Sequence, residues 1–214
     1  ADVATRARSL DYFVVENAKT ARAELKRLEH PAPLRDLDIR ELPEKPGMAD
    51  LDGLLAPLIS GRDAGLMSEA GCPAVADPGA LLVRRAHEMN IAVVPLVGPS
   101  SLLLALMASG LNGQSFAFHG YLPVDEEARN KRIRELETES ARHARTQLFI
   151  ETPYRNGRMF EALRNSCRPD TRLCVACDLT LESESITTRR IADWKKTPSP
   201  DLNRRPTVFL ILAT

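Results

Sequence analysis

Two loops of small residues dominate the chain between Ser68 and Ser101. The first, S-E-A-G-C-P-A-V-A-D-P-G at 68–79, follows the apolar run G-L-M at 65–67. The second, G-P-S-S at 98–101, follows I-A-V-V-P-L-V at 91–97. Side chains this small do little chemistry of their own. They let the main chain approach a ligand closely, and they leave N–H groups open where a helix begins. The pattern therefore predicts recognition of a cofactor by backbone. It excludes a nucleophile elbow, because G-P-S-S lacks the spacing G-x-S-x-G and no His–acid partner is evident.

The cysteines are Cys72, Cys167, Cys174 and Cys177. C-V-A-C at 174–177 has the spacing of a redox or zinc pair. It lies, however, in R-L-C-V-A-C-D-L, a run that reads as a buried strand, and strand positions three apart face opposite ways. No second pair with metal-like spacing accompanies it, and the histidines at 30, 87, 119 and 143 are scattered. Structural thiols in a reducing cytoplasm, and no metal, are expected.

Strand and helix must alternate to position these loops. Helices are predicted over 3–10, 20–28, 49–60, 80–89 and from Ser101 to a stop at Gly110. Strands are predicted over 11–17, 65–67, 91–97 and, in short form, 37–42. A second unit then reads as strands at 115–122, 147–152, 173–180 and 206–213, with helices at 125–145 and 156–166. No internal repeat is visible. The expectation is two α/β domains, 1–113 and 114–214, divided near Leu111–Gln114. The chain shown is also expected to lack its natural beginning and first strand.

With 214 residues, 43% of them hydrophobic, the chain can hold packed cores, and its formal net charge is zero. Nothing global announces a nucleic-acid or membrane partner, and no run reaches the length of a membrane span. The first half is slightly acidic and the second slightly basic. T-T-R-R-I-A-D-W-K-K-T at 187–197 could meet RNA, or its Trp194 could pack on the sheet. E-E-A-R-N-K-R-I-R-E-L-E at 126–137 mixes both signs and reads as an ion-paired helix.

Several segments together resemble a known family. E-N-A-K at 16–19, the two loops above, F-H-G-Y-L-P at 118–123, F-I-E-T-P-Y-R at 149–155 and A-C-D-L-T at 176–180 run in the order found in the tetrapyrrole methylase superfamily. They are most similar to its ribosomal RNA small-subunit cytidine 2′-O-methyltransferase branch. The resemblance implies S-adenosylmethionine bound in a cleft between two α/β domains, a homodimer, a cytoplasmic location, and methyl transfer to a ribose 2′-hydroxyl of ribosomal RNA. A small-molecule, tetrapyrrole-like acceptor and a divergent, non-catalytic cofactor-binding protein are the alternatives. Residue by residue, it places Ala70, Gly71, Cys72, Val75, Ser100, Ser101, Thr152, Leu179, Thr180 and Pro206 against the cofactor. Glu16 and Glu151, at strand ends, are then candidates for catalysis, and Lys19 and Arg155 for holding substrate charge. The chain departs from the family where E-D-T-R has become E-N-A-K, where S-D-A-G-T-P has become S-E-A-G-C-P, and where a T-P-I-G-N-L-like loop has no match. Lysine cannot reproduce a bidentate arginine contact, so the first departure bears on the substrate.

Overall fold

A computed structural model describes residues 3–213. They form two compact units, divided between Ser100 and Ser101.

The first unit is built on strand β1 (Tyr12–Val15), whose four residues are all buried. It lies between β2 (Asp38–Glu41) and β3 (Gly65–Met67) in a wholly parallel sheet. Successive strand residues face opposite ways, so β1 feeds two cores. Tyr12 and Val14 pack with Leu51, Leu54 and Leu55 of α3 (Met48–Ile59) and with Leu82 and Ala86 of α4 (Ala80–Glu88). Phe13 and Val15 pack with Ala21 and Leu25 of α2 (Ala18–Arg27). The Tyr12 hydroxyl donates to the Leu54 carbonyl at 2.7 Å, which satisfies the one polar atom of a buried ring. The helix α1 (Val3–Arg8) precedes β1 as expected.

The second unit holds a mixed five-stranded sheet in the order β4-β5-β8-β6-β7. Its strands are β4 (Phe116–Tyr121), β5 (Thr146–Ile150), β6 (Arg172–Cys177), β7 (Ser185–Arg190) and β8 (Thr207–Leu212). β4 and β5 are parallel, while β8 runs against β5 and β6. Thus β4, β5 and β6 end at one edge of the sheet, where β8 begins. One face buries Phe149, Leu173, Cys177 and Phe209 with α6 (Glu126–His143) and α7 (Asn156–Ser166). The other buries Leu148, Cys174, Ala176 and Leu210 with α5 (Ser101–Ser109). The two thiols of C-V-A-C therefore sit in opposite cores, as the strand reading required, and all four cysteines are free. Gly110 ends α5 with φ +67, a left-handed conformation that glycine adopts without strain.

Two local expectations change, and the alternative left open for Trp194 is decided. Residues 91–97 form no strand, and Val94 and Val97 are exposed. Pro95 has no N–H to give to a ladder, which works against strand pairing in this run. Residues 185–190 are a strand, β7, and a short helix α8 (Ile191–Trp194) follows. Trp194 is buried against Phe160, with its ring N–H donated to the Leu173 carbonyl at 2.9 Å, so it is a core residue and not an RNA contact. The chain also divides one helix earlier than the boundary expected near 113, because Ala105 and Leu106 of α5 pack on β6 and β8.

Candidate active site

In the first unit, the candidate residues gather at the carboxyl ends of β1 and β3. The loop after β3 folds back on itself: the Val75 N–H donates to the Cys72 carbonyl and the Ala74 N–H to the Pro78 carbonyl. Gly71, Ala74 and Ala76 all take positive φ, at +74, +67 and +64. A methyl group is the smallest Cβ substituent that such a turn can carry, so alanine costs least after glycine. Ala70, Gly71 and Val75 are exposed and Cys72 is half-buried. The N–H groups of Gly71 and Cys72 have no partner among the described residues. Open donors beside exposed small residues fit a cofactor read by main chain.

The Cys72 thiol reaches the Pro99 carbonyl at 3.6 Å, which joins this loop to the segment carrying Ser100. Glu16 joins them from β1, since its carboxylate accepts the Glu69 N–H at 2.9 Å. Asp77 lies close by, and burial followed by the nearby Glu16 charge pushes its carboxyl above the ordinary value, against a bond from Ser68. Asp77 was not singled out from sequence, although it stands in the quoted loop. Lys19 stays apart, exposed in the first turn of α2, where Asn17 caps the helix by accepting the N–H groups of Lys19 and Thr20.

In the second unit, Ser101 opens α5 and is exposed. The other candidates converge where β5 and β6 end and β8 begins. The Glu151 side chain is 2% exposed; one oxygen accepts both the Thr152 N–H at 2.6 Å and Arg155 Nη2 at 2.8 Å. Burial raises the Glu151 carboxyl, but Arg155 and Thr152 outweigh it and hold the group below its ordinary value. Leu179 and Thr180 follow Asp178, whose N–H donates to the Pro206 carbonyl at 2.9 Å. The Arg204 N–H to the Pro153 carbonyl and Asn156 Nδ2 to the Arg205 carbonyl tie this group to Thr152 and Arg155. Sequence reading missed the clasp that holds the cluster: Asp178 accepts Arg205 Nε at 2.7 Å and the Ser183 hydroxyl at 2.8 Å. The partners lie far apart in sequence, and no local pattern joins them.

No group of histidine, cysteine, aspartate or glutamate that could hold a metal occurs among the described residues. No described helix is long and apolar enough to cross a membrane.

The chain is 33% identical over 159 residues to the ribosomal RNA small subunit methyltransferase I of Vibrio cholerae, and 35% identical over 159 residues to that of Xylella fastidiosa. Each match covers 74% of this chain. The chain is homologous to the ribosomal RNA small subunit methyltransferase I proteins. It spans about half the length of these curated relatives, 54% and 57% respectively. The counterpart from Mesorhizobium japonicum is 37% identical over 143 residues, covering 65% of this chain and 47% of its own length. A crystal structure of the methyltransferase CobJ superposes with a TM-score of 0.62 over 98% of this chain and 86% of that one. At 20% identity that likeness speaks for the fold alone. No family model matches the chain. The resemblance to the tetrapyrrole methylase superfamily and to its ribosomal RNA branch, and the α/β fold class it implied, are borne out.

Proposed function

We propose that the protein is an S-adenosylmethionine-dependent methyltransferase that modifies a ribose 2′-hydroxyl of ribosomal RNA, working in the cytoplasm as a homodimer. The observation that carries this reading is the junction of the two small-residue loops at Cys72 and Pro99, with open main-chain donors at Gly71 and Cys72, in a chain whose relatives are named ribosomal RNA small subunit methyltransferase I. The residues proposed to hold the cofactor are Ala70, Gly71, Cys72, Val75, Ser100, Ser101, Thr152, Leu179, Thr180 and Pro206.

When bound, S-adenosylmethionine would supply an electrophilic methyl group for transfer to the hydroxyl oxygen. The protein must align the hydroxyl, exclude water and take up its proton. Glu16 suits the last task. One of its oxygens accepts the Glu69 N–H, and the other has no partner among the described residues. Glu151 suits it less, because a carboxylate held low by a guanidinium is a weak base. On this reading Glu151 is a positioning residue, and it presents Arg155 to an RNA phosphate. Lys19 is assigned to the same substrate as an exposed charge.

Calorimetric titration of the protein with S-adenosylhomocysteine tests the cofactor site without needing the acceptor. Micromolar binding is expected, followed by methyl transfer to unmodified small-subunit RNA. Glu16→Gln should keep that affinity within a few-fold and lower kcat by roughly a hundredfold. Absence of binding in the folded protein overturns the proposal.

A further inference from the structure

The strand β7 forms a free edge of the five-stranded sheet and ends in two successive arginines, Arg189 and Arg190. Arg190 stands directly opposite Arg172 of β6 in the antiparallel ladder. Facing residues in such a ladder project to the same side, so two like charges share one site, an arrangement that disfavours the pair unless something anionic answers it. Neither side chain has an ion pair or hydrogen bond among the described residues. Arg189 projects to the other face, where its guanidinium lies 5.1 Å from the centre of the Trp194 ring. The three arginines line a shallow concavity of about 280 Å³ with Thr188 and Asp193. Asp193 does not neutralise them, because it is engaged by Lys196 at 3.1 Å.

We infer that this corner of the sheet docks the phosphodiester backbone of RNA. The inference rests on the ribosomal RNA reading of the substrate, and it adds a surface that none of the cofactor or strand-end residues contains. Guanidinium groups meet phosphate oxygens in pairs, and exposed arginines without internal partners are free to do so. Arg190 and Arg172 stand on one face of the sheet edge and Arg189 on the other, around one shallow concavity, a spread that suits successive phosphates along a chain.

The test uses the whole protein and a fluorescently labelled RNA hairpin, followed by anisotropy across a salt series. At about 0.15 M salt the R172Q/R189Q/R190Q variant should bind roughly tenfold more weakly or worse, and the slope of log affinity against log salt should fall by about 2. Because Arg189→Gln uncovers Trp194, R172Q/R190Q is measured beside it; this variant leaves the stack in place and should lose part of the same slope. Affinity for S-adenosylhomocysteine should stay unchanged in both. RNA affinity and slope equal to those of the unaltered protein, or no RNA binding by that protein, would overturn the inference. Competition by millimolar inorganic phosphate to the same extent as by RNA would reduce the corner to a free-anion site and overturn it too. Should the unaltered protein bind RNA through these arginines yet fail to bind S-adenosylhomocysteine, the methyltransferase reading falls and the docking surface stands.

Discussion

Replacing Asp178 by Asn isolates the charge that closes the strand-end cluster of the second unit. Asparagine keeps the left-handed backbone tolerated at φ +51 and keeps an oxygen for the Ser183 hydroxyl. It loses the charge on the bond from Arg205 Nε at 2.7 Å. A hydrogen bond to a charged group contributes about 1.5–3 kcal/mol net. The Asp178 side chain is 7% exposed, but Arg205 is 26% exposed and keeps its bonds to the carbonyls of Asp201 and Ser183, so solvent screening argues for the lower half of that range. A loss of about 1.5–2 kcal/mol is expected, equivalent to roughly 3–8 °C in Tm for a chain of this size. The pH dependence fixes its origin. Arg205, then Ser183, hold the Asp178 carboxyl below its ordinary value, while burial opposes them. A group lowered in this way stabilises fully above its unfolded pKa of about 3.9, and that contribution is lost as pH falls through the folded value. The gap between the unaltered protein and Asp178→Asn should therefore be level from about pH 7 to 5 and close below about pH 4. Trp194 is the only tryptophan and lies in the core of the same unit, so its fluorescence reports the unfolding directly. A double-mutant cycle with Arg205→Gln measures the coupling. Zero coupling, or a gap that persists unchanged in acid, would refute the assignment.

Three further outcomes are expected. Gly71→Leu should abolish S-adenosylhomocysteine binding while costing only about 1–2 kcal/mol of stability, because the site is open but φ is +74; unchanged affinity by calorimetry would displace the proposed cofactor site. A thiol reagent at neutral pH should modify Cys72 alone, and S-adenosylhomocysteine should protect it, since Cys167, Cys174 and Cys177 are buried and burial pushes all three thiols upward; labelling of a second cysteine in the native protein, read by mass spectrometry, would contradict this. Thr180→Gly should relieve backbone strain at φ +73 and leave stability level or raised by about 1 kcal/mol, while S-adenosylhomocysteine binds more weakly; a clear loss of stability would mean that the threonine side chain holds the loop.

Most elements were legible because their periodicity was strong. Tyr12–Val15 and Thr207–Leu212 are continuous apolar runs and became buried strands. Arg132 pairs with both Glu135 and Glu139 on the charged helix, as mixed signs at helical spacing require. The failures have physical causes. The strand S-I-T-T-R-R holds one aliphatic residue, since an edge strand with exposed ends needs no apolar face, and it exists because β6 offers six partners. The run at 91–97 has the composition of a strand, but composition cannot supply a neighbour to pair with. At the site, Glu151 and Arg155 stand four residues apart in the segment between β5 and α7 and meet at 2.8 Å, so one short stretch of sequence carries both. Asp178 and Arg205 were not, because their contact depends on β6 and β8 being adjacent.

Backbone strain gives an independent argument for where function lies. Eight non-glycine residues among those described have positive φ. Three of them, Glu29, Asn90 and Ala144, stand at or just beyond the ends of α2, α4 and α6, where a left-handed residue completes the last turn. The remaining five are Ala74, Ala76, Asp178, Thr180 and Arg204. No helix end accounts for them, and a β-branched residue such as Thr180 pays most for that conformation. All five fall in the loop after β3 or in the turns joining β6 and preceding β8, beside the residues that the family resemblance assigns to the cofactor. Folding alone would favour glycine at these positions. Their side chains and fixed turns are retained against a cost of about 1–2 kcal/mol each, which is the pattern expected where a loop is shaped for a ligand and the rest of the unit supplies the stability.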